Sequence, residues 1–296
     1  MAEGTRIAVV GLPGAWSTEH LADVVAARTG SRLVVDMSQV VADLERGSVL
    51  FGDVDLCSYD ALIVKKIGAA YGPDTLDALD LLRFVQASGV AVFSDPGRIH
   101  SLVDRASGTL ALRRHGIPMP PTVITPSEAH AAAAIERFGS AVLKPLYSTK
   151  ARGMRVVSAR EHDVEAQVRE FRAEGNPVIY VQKMIEIPSR DLGVAYLGGA
   201  YLGTYARVKA SGAWSTTTRE GGRYEAHDPD PKTLEVADRA QKIFALAFTT
   251  VDVAETEDGP LVFEVSAFGG FRGLSEGNGI DVAEAYVDHV LREVTR

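Results

Sequence analysis

Asp252 and Glu264 sit in two successive apolar runs, TTVDVAET and LVFEVSAFGG, joined by a tight Glu257-Asp258-Gly259 turn. A hairpin that pairs them on one face lets their oxygens share a hard cation, because Mg²⁺ takes one or two carboxylates and leaves its other positions to phosphate. An unpaired carboxylate among apolar neighbours is expensive, so a structural arginine is the alternative partner for either. Lys144 lies in another apolar run, AVLKPL, where a fixed ammonium suits a phosphate, although an edge-strand lysine turned to water has the same signature. The connection that follows, Tyr147-Ser148-Thr149-Lys150-Ala151-Arg152-Gly153, offers hydroxyls, amides and cations that can lie over a triphosphate; basic hairpin tips also occur without a ligand. The stretch Val181-Gln182-Lys183-Met184-Ile185, shortly before Pro188, has the place of an interlobe strand whose backbone reads adenine.

Such groups need a scaffold. Runs at 6–11, 32–36, 61–65 and 90–93 alternate with helical spacings over 17–27 and 73–88. That alternation predicts a parallel sheet with crossover helices. A helix over 99–114 closes at Gly116 and at Pro118, Pro120 and Pro121. An α+β unit follows, with a helix over 127–138 capped by Ser127, strands at 141–145 and 154–158, a helix over 161–173 and a strand at 178–184. The last part reads as strands at 191–197 and 200–209, a Gly-rich loop near Gly221-Gly222, a helix over 232–246, strands at 248–256 and 260–265, and a helix over 281–292. The expected units are an N-terminal α/β domain at 1–96, a central one at 97–186 and a C-terminal one at 187–296. The early GLPGAW lacks the dinucleotide fingerprint and reads as a tight turn.

The chain has 296 residues, 31 Lys+Arg against 39 Asp+Glu and a formal net charge of −8, which gives no blanket electrostatic reason to bind nucleic acid or an anionic membrane. A single cysteine, Cys57, forms no internal disulfide and no thiolate metal site by itself, as suits a reducing compartment. The start lacks a signal-type apolar core, and no later run reaches about 18 apolar residues. The expectation is a cytoplasmic protein with no nucleic-acid or membrane partner.

The order of these motifs is more specific than any one of them: strand lysine, loop, interlobe strand, Arg190-Asp191, Arg207 on a following strand, then Asp252 and Glu264 before a Gly-rich turn. It resembles the ATP-grasp ligases, most clearly the RimK-like group that joins amino acids such as glutamate to an acceptor. KKIGAAYG is similar to that group's Arg-Ile-Gly segment, LVDRASGTLALRRHGIPMPPTVI to its Asp-Lys helix with Gly-Ile-Pro-x-Pro, and VFEVSAFGGFRGL with GNGIDVA to its Glu-Val-Asn-x-x-Pro-Gly-Leu and Gly-Ile-Asp ending. The phrases FGDVDL, LIVKKIG, KPLYSTKARGMRV and DVAETEDGPLVFEVSAFGGFRG most resemble the ATP-grasp member of the GAK system.

The resemblance implies a three-lobed α/β ATP-grasp architecture, with two α+β lobes sandwiching ATP. It implies Lys144 and Arg207 as catalytic and phosphate contacts, and Thr149, Lys150, Arg152, Gly153, Gln182, Lys183, Met184, Ile185 and Asp191 around the nucleotide. Asp252, Glu264 and Ser266 take the metal positions, for Mg²⁺ or alternatively Mn²⁺. Four positions depart from the pattern: Ser266 replaces Asn, Arg105 replaces Lys, Gly193 replaces Arg, and the phosphate loop has one glycine, Gly153.

The implied reaction passes the γ-phosphoryl group to a carboxylate and lets an amine attack the acyl phosphate, with loops 149–153 and 213–222 as lids. Lys65, Lys66, Trp214, Ser215, Arg219 and Arg272 are candidates to hold a small-molecule or peptide substrate, and a homo-oligomer is compatible with the sequence. Two alternatives stay open: a degenerate nucleotide-binding sensor or scaffold, and a phosphotransferase acting on a hydroxyl.

Overall fold

A computed structural model describes residues 4–148, 151–187, 189–209 and 222–295. The first β-branched runs form an all-parallel sheet of β1 (Ile7–Val10), β2 (Val34–Val35), β6 (Ala61–Val64) and β7 (Ala91–Phe93) in the order β2-β1-β6-β7. Every residue of β1 and β6 is buried, as expected of central parallel strands covered on both faces. The crossover helices include α1 (Trp16–Thr29) and α2 (Pro73–Ala87). Between β2 and β6 lies a small antiparallel sheet that the sequence pattern did not disclose, of β3 (Val40–Asp43), β4 (Ser48–Phe51) and β5 (Val54–Asp55). Strands of two to four residues are too short to show a period of two.

The single helix expected over 99–114 is two helices, α3 (Pro96–Val103) and α4 (Arg105–Arg114). Asp104 separates them: its backbone is extended (φ −87°, ψ 116°), and its carboxylate accepts from Ala106 N and Ser107 Oγ, both at 3.0 Å. A capping side chain thus outcompetes helix continuation and makes Arg105 the first residue of α4.

The next sheet is antiparallel, in the order β10-β9-β11-β8, from β8 (Thr122–Thr125), β9 (Ser140–Lys144), β10 (Arg155–Ser158) and β11 (Ile179–Lys183). Helices α5 (Glu128–Phe138) and α6 (Val164–Ala173) cover it, and Ser127 caps α5 through an Oγ contact from His130 N at 3.3 Å. Strand β8, hidden behind prolines in the sequence, is an edge strand, where proline-rich approaches are tolerated.

The last sheet runs β14-β13-β12-β15-β16, with β12 (Arg190–Leu197), β13 (Ala200–Val208), β14 (Arg223–Ala226), β15 (Phe248–Thr256) and β16 (Gly259–Val265). It packs with α7 (Pro231–Phe244), the short α8 (Arg272–Asn278) where only a Gly-rich turn was expected, and α9 (Val282–Val294).

Burial divides the molecule unevenly. One apolar core joins Val10, Val64 and Leu82 to Val194, Val251 and Val265, and a second joins Ile7 and Leu21 to Phe271 and Tyr286. Both are shared by the first and last sheets. The central sheet has its own core of Ile135, Leu143, Val168, Phe171 and Val181. Ile99, Val103 and Leu112 belong to the shared core, so the central unit's own packing begins near β8 rather than at 97. No helix among the described residues is long and apolar enough to cross a membrane.

Candidate nucleotide and metal site

Asp252 on β15 and Glu264 on β16 are register partners, as the hairpin reading anticipated. One residue further the register slips: Val253 faces Val262, leaving Phe263 as the extra residue of a bulge. Such a bulge twists the strand and re-aims the side chains beside it. Asp252 also faces Gly193 on β12, and Gly193 in turn faces Tyr205 on β13.

Each carboxylate meets a guanidinium. Arg207 on β13 donates from Nε to Asp191 Oδ1 at 3.1 Å and through Nη2 to Asp191 Oδ2, while the same Nη2 lies 3.0 Å from Asp252 Oδ2. Burial opposes the Arg207 charge, but Asp191 and then Asp252 outweigh it and hold its pKa well above the ordinary value. Arg105 donates from Nη1 to Glu264 Oε2 at 3.1 Å, and its side chain is 9% exposed against 44% for Glu264. The structural-arginine alternative thus describes the geometry of both residues. Asp252 retains one uncommitted atom: its Oδ1 is buried with no hydrogen-bond partner among the described residues. Burial pushes the Asp252 carboxyl up to about 6 against the pull of Arg207, with Glu264 and Asp191 adding to the rise.

Lys144, at the end of β9, is buried rather than turned to water. Its Nζ donates to Gln182 Oε1 at 2.5 Å and lies 5.6 Å from the centre of the Phe263 ring. Gln182 is held in turn: its Nε2 donates to Thr122 Oγ1 at 3.2 Å and Tyr180 OH at 3.3 Å, and Tyr180 OH is 3.0 Å from Thr109 Oγ1 on α4. Burial, then the nearby Arg105 charge, lower the Lys144 pKa to about 7, and Glu264 and Asp252 only partly restore it.

The adenine-hinge expectation meets a committed backbone. Lys183 N donates to Pro121 O at 2.8 Å and Met184 N to Ser140 O at 2.9 Å, so both of those amides are already taken within the protein. Gln182 reaches the site by its side chain, not its main chain. Lys183 is exposed, while Met184 and Ile185 are half-buried.

From the first sheet, the end of β6 brings Lys66 Nζ to Tyr71 OH at 2.6 Å, with the ammonium 4.4 Å and 5.2 Å from the centres of the Tyr71 and Phe268 rings. Burial and then the nearby Glu264 raise the Tyr71 pKa, against the opposing Arg152 charge, so this cluster lies within electrostatic reach of Glu264. Tyr71 stands within KKIGAAYG, but the sequence reading assigned it no role of its own. Arg152 donates from Nη2 to Ala69 O at 2.7 Å, tying the connection between β9 and β10 to the segment after β6. Gly153, in the left-handed region at φ +70°, lets that loop turn back where a Cβ would lie 3.0 Å from Pro145 Cγ.

Lys65 is spent structurally: its Nζ donates to Gly269 O at 2.9 Å and lies over the Phe271 ring. Arg272 lies 5.5 Å over Trp16, outside the carboxylate cluster. In the GLPGAW turn, Glu19 Oε1 accepts from Gly14 N at 2.6 Å, so a side chain of α1 itself answers that turn.

The Gly193 departure has a steric reason. A Cβ there would lie 2.2 Å from Tyr205 Cζ, so the tyrosine ring fills the space a side chain at 193 would need. Ser266 is half-buried and fixed by its backbone, its N donating to Thr250 O and its O accepting from Thr249 Oγ1, both at 2.8 Å. Thr149, Lys150, Trp214, Ser215 and Arg219, with most of the 213–222 lid candidate, lie outside the described residues.

The donors fit a hard cation held together with a nucleotide. They are all oxygens, one of them buried and unpartnered, and among the described residues no cluster of three or more His, Cys, Asp or Glu could hold an ion alone.

A family model described as the RimK-like ATP-grasp domain matches residues 103–290. The tetrahydromethanopterin:alpha-L-glutamate ligase of Methanosarcina acetivorans is 27% identical over 267 residues, covering 81% of this chain and 82% of that protein. The crystal structure of a RimK domain ATP-grasp protein from Sphaerobacter thermophilus superposes with a TM-score of 0.75 at 24% identity, covering 96% of this chain and 98% of the other. The ATP-grasp ligase PsnB, solved with a phosphomimetic variant of its minimal precursor, Mg and ADP, superposes with a TM-score of 0.73 at 21% identity over 98% of this chain and 99% of its own.

Proposed function

The chain belongs to the RimK-like ATP-grasp family, a family of ligases, and from that premise we propose that it is an ADP-forming carboxylate–amine ligase working through an acyl phosphate. A carboxylate oxygen of the acid attacks the γ-phosphorus of ATP and ADP leaves; an amine then attacks the acyl carbon, loses a proton and expels phosphate. The observation that carries this reading is the register pair Asp252 and Glu264, with one orphaned oxygen, facing Lys144, Arg105 and Arg207. Three cations and two carboxylates at one place are what a phosphoryl group and its counter-ion require.

Asp252 and Glu264 would hold Mg²⁺, which when bound neutralises charge on the phosphates. Lys144 and Arg207 take phosphate oxygens, and Arg152 and Gly153 close the loop above them. Asp191 orients Arg207 through a two-point contact. The nucleotide lies between the central and C-terminal units. The acid lies toward Lys66 and Tyr71, where an ammonium at the carboxyl end of a parallel strand favours an anion. Relatives named alpha-L-glutamate ligases support glutamate as the amine donor, and the ATP-grasp ligase PsnB, also solved with a precursor peptide, supports a peptide among the substrates.

The test is ADP release from Mg-ATP with candidate acids and hydroxylamine as the amine. A hydroxamate formed in step with ADP supports the ligase, whereas a phosphate ester assigns a phosphotransferase. A second reading, a nucleotide-binding sensor, is favoured by the arginine on each carboxylate. It requires tight nucleotide binding with no acid-dependent turnover.

A further inference from the structure

The ion pair between Arg105 and Glu264 is more than an apolar site's way of tolerating a carboxylate. Arg105 is held from four directions: its N donates to Leu146 O at 3.2 Å, its Nε to Pro145 O at 3.2 Å, its Nη2 to Ser148 O at 3.3 Å and its Nη1 to Glu264 Oε2 at 3.1 Å. The break at Asp104 fixes where its backbone starts, and its side chain is almost wholly buried. A buried guanidinium with three side-chain bonds does not swing away cheaply. One oxygen of Glu264 is therefore committed whether or not nucleotide is bound.

Resting on the nucleotide-site reading above, we propose that Arg105 is a built-in positive charge on Glu264 and that the site consequently takes a single divalent cation, on the Asp252 side. Asp252 Oδ1 is the buried oxygen without a partner, so it supplies the natural first ligand. A second ion on Glu264 would compete with the guanidinium charge that already holds one of its two oxygens. It would find there a neutral, short hydroxyl at Ser266, and no third acidic side chain among the described residues. Arg105 has two further N–H groups beyond those committed, which can reach a phosphate oxygen while the Glu264 contact stays made. It is thus a positioning residue for the metal carboxylate as well as a charge in the site.

The experiment counts Mn²⁺ bound per chain at saturating AMP-PNP, by equilibrium dialysis with electron paramagnetic resonance of the free ion. The bound nucleotide and the melting point are measured on the same samples. The wild type and Ser266→Asn are expected to bind one Mn²⁺ per AMP-PNP. The double variant Arg105→Met with Ser266→Asn is expected to bind two, because Glu264 is then released and an amide oxygen replaces the hydroxyl. If that variant does not fold, Arg105→Lys with Ser266→Asn serves: one ammonium cannot hold the 145 and 148 carbonyls and Glu264 together, and a second ion is again expected. Two Mn²⁺ per nucleotide in the wild type, or one in the folded double variant, would overturn the proposal and leave the nucleotide site standing. Failure of the wild type to bind AMP-PNP would overturn both.

Discussion

Lys144 decides how the site responds to pH. Its pKa of about 7 lies below its ordinary 10.5, so folding expels a proton between those values. The group's contribution to stability therefore rises with pH from about 7 to 10.5, and below about 7 the burial penalty on the charged form is fully present. Phosphate favours the charged form, so nucleotide affinity should fall as pH climbs above about 7. Calorimetric titration with Mg-AMP-PNP from pH 6 to 9 checks this, and Lys144→Arg should flatten the slope. Lys144→Ala should weaken binding by about 1 to 3 kcal/mol, the range for a charge-assisted hydrogen bond. At this scale the sequence was informative wherever a charge interrupted an apolar run, as at Lys144, Asp252 and Glu264. It was silent on the contact of Thr109 with Tyr180, which joins residues 71 apart, and Tyr71 stood within KKIGAAYG with no role of its own.

Two local devices carry those side chains into place. The first is the glycine at 193, over which the Tyr205 ring lies against the row of Arg207, Asp191 and Asp252. Gly193→Ala should lower stability by roughly 1 to 3 kcal/mol, since the ring must move out of a filled space. Urea unfolding measures it, and activity should fall by more than the loss of folded protein explains. The second is the Asp104 break. Asp104→Ala removes the cap of α4 and should cost about 0.5 to 2 kcal/mol. Urea unfolding measures that cost as well. The long strands β12, β13, β15 and β16 were legible because strand-favouring stretches of seven to nine residues are set off by turn residues such as Gly198-Gly199 and Asp258-Gly259. The cap at Asp104 was not, because the helical spacing on either side runs on through it.

The first and last sheets share two cores while the central sheet keeps its own, so the central sheet packs as a separate body within the fold. That division was only half legible: the prolines at 118, 120 and 121 mark a chain boundary, but only packing shows that α3 and α4 stay with the shared core. A ligand held between units stabilises the whole, and Mg-AMP-PNP at 100 times its Kd should add about 2.7 kcal/mol to the unfolding free energy. Glu264→Gln should cost little stability, about 0.2 to 1 kcal/mol, because its partner Arg105 keeps two carbonyls and the pair is half-exposed on the glutamate side. It should nevertheless remove turnover by a factor on the order of 10² to 10³.

The most direct test of the central claim, that these carboxylates and cations activate an acid with ATP, is the hydroxylamine assay run on wild type and Glu264→Gln side by side. Both are supplied with Mg-ATP and a fractionated cell extract as the source of acids. The account requires hydroxamate and ADP in equal amounts from the wild type, and neither from the variant at matched folded protein. ADP released at equal rates by both, or a phosphate ester in place of the hydroxamate, would contradict it.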